Sequence, residues 1–88
     1  MSVYVDKPHA QYGRMKMCHM VADTHIELMD MVAKLVLHPG WIQKQGTAEE
    51  HFDVCMSKRK DAIRLGAKEI NRQQLVAVIQ GKRLEEDV

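Results

Sequence analysis

The sequence predicts a small α/β domain, two or three layers thick, with the order β-β-α-β-α-β-α around a partly parallel four-stranded sheet. Three observations predict it. Apolar residues alternate with polar ones at 2–6 and 51–56, a nearly continuous apolar run fills 15–22, and stripes with helical spacing follow turn and cap residues. The stretch from His51 to Ile70 reads strand, helix, glycine, strand, which is the pattern of a parallel unit with a right-handed crossover.

The elements follow in order. Val3 and Val5 face one way and Tyr4 and Asp6 the other, a short strand that Lys7-Pro8 ends because proline cannot donate to a ladder. Residues 7–14 form a loop. Residues 15–22 are apolar on both faces, which suits a central strand, and His19 shares a face with Met17 and Val21. Thr24 and Glu27 make a capping box, and a helix runs to about Leu37 with Leu28, Val32 and Leu35 on its apolar stripe. His38-Pro39-Gly40 stops it. A long polar loop, 38–50, carries the single tryptophan, Trp41.

In 51–56, Phe52, Val54 and Met56 share one face, and His51, Asp53 and Cys55 the other. Ser57 caps a helix to about Leu65, where Gly66 terminates it. Residues 67–70 are a short strand, and Asn71 with Gln74 caps a last helix to about Lys82. The ordered core spans about 2–82 of a single 1–88 domain, with 83–88 a frayed tail.

Composition narrows the function classes. Thirteen basic and twelve acidic residues leave a net charge of +1, which argues against non-specific nucleic-acid binding. No apolar run approaches the ~18 residues that span a bilayer, and the N-terminus reaches a charge too early for a signal peptide. The expectation is a cytoplasmic protein whose Cys18 and Cys55 are reduced thiols. At 88 residues the core is thin, and a homodimer would supplement it. Seven methionines against one phenylalanine suit a pliable interior or an interface.

Tyr4-Val5-Asp6, Tyr12-Gly13-Arg14, Cys18-His19-Met20, Ala22-Asp23-Thr24, Glu27-Leu28, Trp41, His51-Phe52-Asp53 and Ser57-Lys58-Arg59 together resemble a family of short bacterial and phage proteins, domain-of-unknown-function family 4031. The resemblance covers most of 2–70. Phe52 stands where the family usually has tyrosine. The resemblance implies no activity, only that these polar motifs form one unit.

Several of these residues fall at strand ends or helix starts, where open α/β sheets form ligand crevices. Lys58 and Arg59 open a helix whose dipole they oppose, a misfit that an anion bound at the helix start would relieve; solvated or ion-paired side chains are the plainer explanation. His19 suits a general base, a ligand or a satisfied core histidine. Trp41 suits stacking on a ring or a lid over a small core. His9, His25 and His38 read as exposed.

The leading expectation is a small ligand-binding domain for an anionic or phosphate-bearing molecule such as a nucleotide, with no cofactor. Its binding residues would be Arg14, His19, Trp41, His51, Asp53, Lys58 and Arg59. The alternative is a phosphoesterase or nuclease holding Mg²⁺ or Mn²⁺ on Asp6, Asp23 and Asp53. Zinc on Cys18, His19, His51 and Cys55 is disfavoured because no paired ligand spacing is present. A protein–protein adaptor without a small-molecule site is the third reading.

Overall fold

In the computed structural model, which describes residues 2–86, the chain runs β1 (Val3–Val5), β2 (Ala10–Tyr12), β3 (Met15–Ala22), α1 (His25–Lys34), a 3₁₀ turn (Pro39–Trp41), β4 (Phe52–Cys55), α2 (Met56–Arg64), β5 (Lys68–Glu69) and α3 (Arg72–Glu86). The architecture is α/β with a mixed sheet of five strands rather than four. The extra strand is β2, inside the 7–14 segment expected to be loop. It forms a hairpin with β3 across Gly13-Arg14, pairing Tyr12 with Met15. Gly13 has φ +61°, the left-handed geometry that the first residue of a tight two-residue hairpin turn requires.

β3 is the organising strand. β4 pairs antiparallel along one side of it, Met17 opposite Cys55 through Met20 opposite Phe52. β1 pairs antiparallel with its C-terminal end and β2 with its N-terminal end. β5 lies outside β1 and parallel to it. β4 and β5 therefore run in the same direction, as the crossover pattern predicts, but β3 and β1 lie between them.

Alternation gives the sheet two different faces. One carries Val3, Val5, Cys18, Met20, Ala22, Phe52 and Val54, packed against Leu28, Met31, Val32 and Leu35 of α1 and its cap and Ala62 of α2. This is the core. The opposite face carries Asp6, His19, Val21, His51 and Asp53, with Leu75 and Ile79 of α3 facing Val21, His19 and His51 across a small cleft.

The helix ends show where local chemistry decides. Thr24 caps α1 by accepting the Glu27 N–H, and its hydroxyl donates to the Glu27 carboxylate. α1 ends at Lys34, three residues short of the expected Leu37. Val36 turns the chain at φ +56°, and the Val36 and Leu37 N–H groups bond back to Ala33 and Val32, the hydrogen-bond pattern of a Schellman end. His38-Pro39-Gly40 only begins the following 3₁₀ turn.

α2 starts two residues earlier than expected. Met56 is already helical, and Cys55, not Ser57, is the N-cap residue. Asn71 and Gln74 cap α3 reciprocally, each accepting the other's backbone N–H at 2.8 Å. α3 continues through Glu86, so 83–86 are helical and not frayed; Asp87 and Val88 lie outside the described residues. Among the described residues, no helix is long and apolar enough to cross a membrane.

Candidate functional site

Antiparallel register places His19 of β3 directly opposite Asp53 of β4. On its other side, Asp6 follows the last paired residue of β1, and its N–H donates to the His19 carbonyl at 3.1 Å. Asp6, His19 and Asp53 thus form one row across three strands, on the face turned away from the core. His51 precedes Asp53 by two residues and joins that face.

Each histidine is held by one ring nitrogen. Asp6 is buried, and its Oδ2 lies 2.7 Å from Nδ1 of His19 while its Oδ1 accepts the His19 backbone N–H at 2.6 Å. His51 Nδ1 lies 2.8 Å from the Glu49 carbonyl. A carboxylate and a carbonyl only accept, so in each neutral ring Nδ1 carries the proton and Nε2 presents a lone pair. A ring nitrogen of each, with a carboxylate oxygen of Asp53, lie within 4.8 Å of one another.

Asp53 completes the arrangement. Its Oδ2 accepts from Gln43 Nε2 at 2.7 Å, while its Oδ1 is buried without a hydrogen-bond partner. That orphan oxygen is 3.7 Å from Nε2 of His51 and 3.7 Å from Nε2 of His9. His9 stacks on His19, ring centroids 3.5 Å apart and 8° from parallel. Burial, then the neighbouring His19, pushes the His9 pKa below its usual value, which favours the neutral form of the stacked ring. His19, His51 and Asp53 are therefore a set of residues that could hold a metal ion.

The other expected site residues lie elsewhere or do other work. Asp23 sits opposite the start of β1, where its carboxylate takes the Ser2 N–H and the Tyr4 hydroxyl. Four residues of strand, roughly 13 Å, separate it from Asp6 in register, so Asp6, Asp23 and Asp53 do not converge. Arg14 is at the hairpin tip, five residues before His19 in the chain. Trp41 is exposed and stacks on His38.

Lys58 and Arg59 are satisfied within the chain. Lys58 Nζ donates to the Leu35 carbonyl at 2.8 Å, placing a cation on the negative end of α1. The Arg59 guanidinium is 12% exposed; its Nε donates to the Asp6 carbonyl at 2.8 Å, and its Nη1 to Glu69 at 3.1 Å. Arg59 thus positions Asp6, which in turn orients His19. His9, exposed as expected, is the neighbour of this cluster that sequence reasoning missed. It sits in the break between β1 and β2, and no periodicity marks such a position.

The thiols do not join the cluster as a ligand set. Cys18 is on the core face, where burial raises its pKa. Cys55 follows Asp53 on its own face, and its thiol meets the Ser57 hydroxyl at 3.2 Å. That hydrogen bond and the Lys58 backbone N–H lower its pKa.

A search of the curated proteins finds no match to this chain, and a search of the solved structures finds none either. A family model described as a protein of unknown function, DUF4031, matches residues 3–82. The motifs that carry the polar cluster, from Asp6 to Asp53, all fall within the matched span, and by that match the chain belongs to the DUF4031 family.

Proposed function

We propose that this protein is a metal-dependent hydrolase of phosphoesters, with the metal held by His19, His51 and Asp53. The observation that carries the reading is the gathering of a ring nitrogen of His19, a ring nitrogen of His51 and a carboxylate oxygen of Asp53 within 4.8 Å of one another, beside an Asp53 Oδ1 that has no hydrogen-bond partner and lies 3.7 Å from Nε2 of His51. Ligands bonded at about 2.0–2.2 Å in a tetrahedral shell lie roughly 3.3–3.6 Å apart, so the 3.7 Å separation closes on a metal with little movement. Asp6 behind His19 and the Glu49 carbonyl behind His51 are the outer partners that such ligands use.

Two imidazoles and one carboxylate favour a transition metal such as zinc or manganese over magnesium, which prefers oxygen alone. Three protein ligands leave a position for water, and a metal-bound water near neutral pH is a nucleophile. His9, beside Asp53, is placed to serve as a fourth ligand or to contact that water. The free thiols Cys18 and Cys55 suit a cytoplasmic setting.

Titration calorimetry with Zn²⁺ and Mn²⁺ tests the site, and hydrolysis of 4-nitrophenyl phosphate and its bis ester tests the reaction. The expected result is one metal per chain, with Asp53→Asn lowering metal affinity by more than about 100-fold. The metal-free Asp53→Asn protein should melt no lower than wild type, because an unsatisfied buried charge has been removed. Equal metal affinity in the two proteins defeats the proposal.

A further inference from the structure

Two buried polar atoms among the described residues have no hydrogen-bond partner: Oδ1 of Asp53, and Nζ of Lys82. One belongs to an anion and the other to a cation, and they do not satisfy each other. A buried ammonium without an acceptor is costly, as is a buried carboxylate oxygen without a donor or cation. The first is explained by a metal. The second is open to an acceptor, and an anion is the acceptor that also offsets its charge.

Lys82 is on α3, one turn beyond Ile79 on the same side of the helix. Leu75 and Ile79 roof the cleft that holds His19 and His51, a space of about 150 Å³ also lined by Lys44 and Glu49. Lys82 lines the next cleft along the helix, about 510 Å³, with His25, Gly46, Thr47 and Glu50. Ile79 and Lys82 differ by a rise of only about 4.5 Å. Glu49 and Glu50 divide the two spaces, and Arg83 bonds Glu49, which fixes α3 to that divide. The larger cleft is of the size that takes a small organic molecule.

The acidic groups lining this cleft are already occupied. Glu50 is 4% exposed and takes the Gly46 N–H at 3.2 Å and His25 Nδ1 at 3.0 Å. Gly46 has φ +80°, the left-handed backbone that turns its N–H to this carboxylate. Asp23 is held by Ser2 and Tyr4. What remains for a ligand is the Lys82 ammonium and, because Nδ1 of His25 is held by Glu50, the Nε2 of His25.

We infer that this cleft recognises a non-reacting anionic group, phosphate or carboxylate, on a substrate whose phosphoester lies at His19, His51 and Asp53. The inference rests on the metal-centre reading for its second half and on Lys82 for its first. The substrate class is a phosphoester with a second negative charge, of which a nucleoside diphosphate is an example.

The test uses the full chain in two forms. In EDTA, inorganic phosphate and succinate are titrated into wild type, Lys82→Met, Lys82→Arg and Asp53→Asn. The expected result is that at least one anion binds wild type and Asp53→Asn alike, that Lys82→Met weakens it about tenfold or more, and that Lys82→Arg restores most of it. Phosphate alone binding assigns the subsite to phosphate, and succinate alone assigns it to carboxylate. Neither binding, or equal binding by Lys82→Met, overturns the subsite. With Zn²⁺ or Mn²⁺, Lys82→Met should bind metal as wild type does and turn over 4-nitrophenyl phosphate within about twofold. Its KM for ADP should rise about tenfold at unchanged kcat. If the anion binds through Lys82 but no metal binds, the metal-centre reading and its share of this inference fall, while the anion site stands.

Discussion

Asp6 holds His19 at two points, Oδ1 on the backbone N–H at 2.6 Å and Oδ2 at the ring Nδ1 at 2.7 Å. The first contact replaces the ladder bond that β1 would have made had it continued. The second fixes the tautomer and the angle of the ring. An asparagine has only one accepting oxygen, so Asp6→Asn keeps both contacts only if its amide N–H donates to Nδ1, which moves the ring proton to Nε2. Metal affinity should fall about 10–100-fold by calorimetry, with about 1–3 kcal/mol lost in urea unfolding.

Arg59 supports that arrangement from behind, through the Asp6 carbonyl. The sequence reading places Arg59 among the residues that face a ligand, a role in which its loss would spare the fold. Its buried guanidinium indicates the reverse: Arg59→Ala should cost about 1.5–3 kcal/mol, the range for hydrogen bonds to a charged group. Binding of phosphate in EDTA, scaled for the folded fraction, should be unchanged. A variant that unfolds like wild type would make Arg59 dispensable to the fold.

Val36 is a β-branched residue at φ +56° and is 85% exposed, so it gains little from packing in return for its conformation. Val36→Gly removes a left-handed penalty of about 1–2 kcal/mol and adds some unfolded-state entropy. The net gain should be about 0.5–1 kcal/mol, a rise of several degrees in melting temperature for a chain of this size. A lower melting temperature would show that the Val36 side chain does work in the fold.

Tyr4 titrates above its usual value, first because it is partly buried and then because its hydroxyl donates to the Asp23 carboxylate. Its folded pKa exceeds its unfolded one, so the unfolded chain loses this proton first. The stability it contributes is complete below pH 10 and is lost as pH rises through the folded value. Urea unfolding from pH 9 to 11 should show a steeper alkaline decline in wild type than in Tyr4→Phe. Parallel declines would disconnect the phenol from stability.

Local pattern was enough for much of this fold. Apolar spacing located β1, β3, β4 and the helices, and cap chemistry located the start of α1 and of α3. β2 was hidden because the alternation of Ala10-Gln11-Tyr12 is only three residues long and the strand depends on the hairpin turn at Gly13. The end of α1 was misplaced for a similar reason. A valine at a left-handed position is not a stop signal, and only the backbone bonds to Val32 and Ala33 reveal it.

The site was half legible. Strand alternation puts His51 and Asp53 together, and His19 stands out within an apolar strand. Which strand lies beside which is a long-range choice, and it is what brings Asp6 and Asp53 to either side of His19. Lys58 and Arg59 were a genuine local misfit with a different cause. Their cations answer carbonyls at Leu35 and Asp6, which no local pattern could reveal.

The register of β4 against β3 carries a heavier burden than strand pairing. Residues on the two faces alternate, so the bond pattern that sets Asp53 beside His19 also sets Phe52 beside Met20 and Val54 beside Cys18. A slip by one residue would bring an apolar side chain into the polar row and drive Asp53 among the valines. Chemistry and folding are therefore proofread by the same event. The packed interior acts as a gauge block for the polar face, and a sheet that closes wrongly has no way to present a nearly right site.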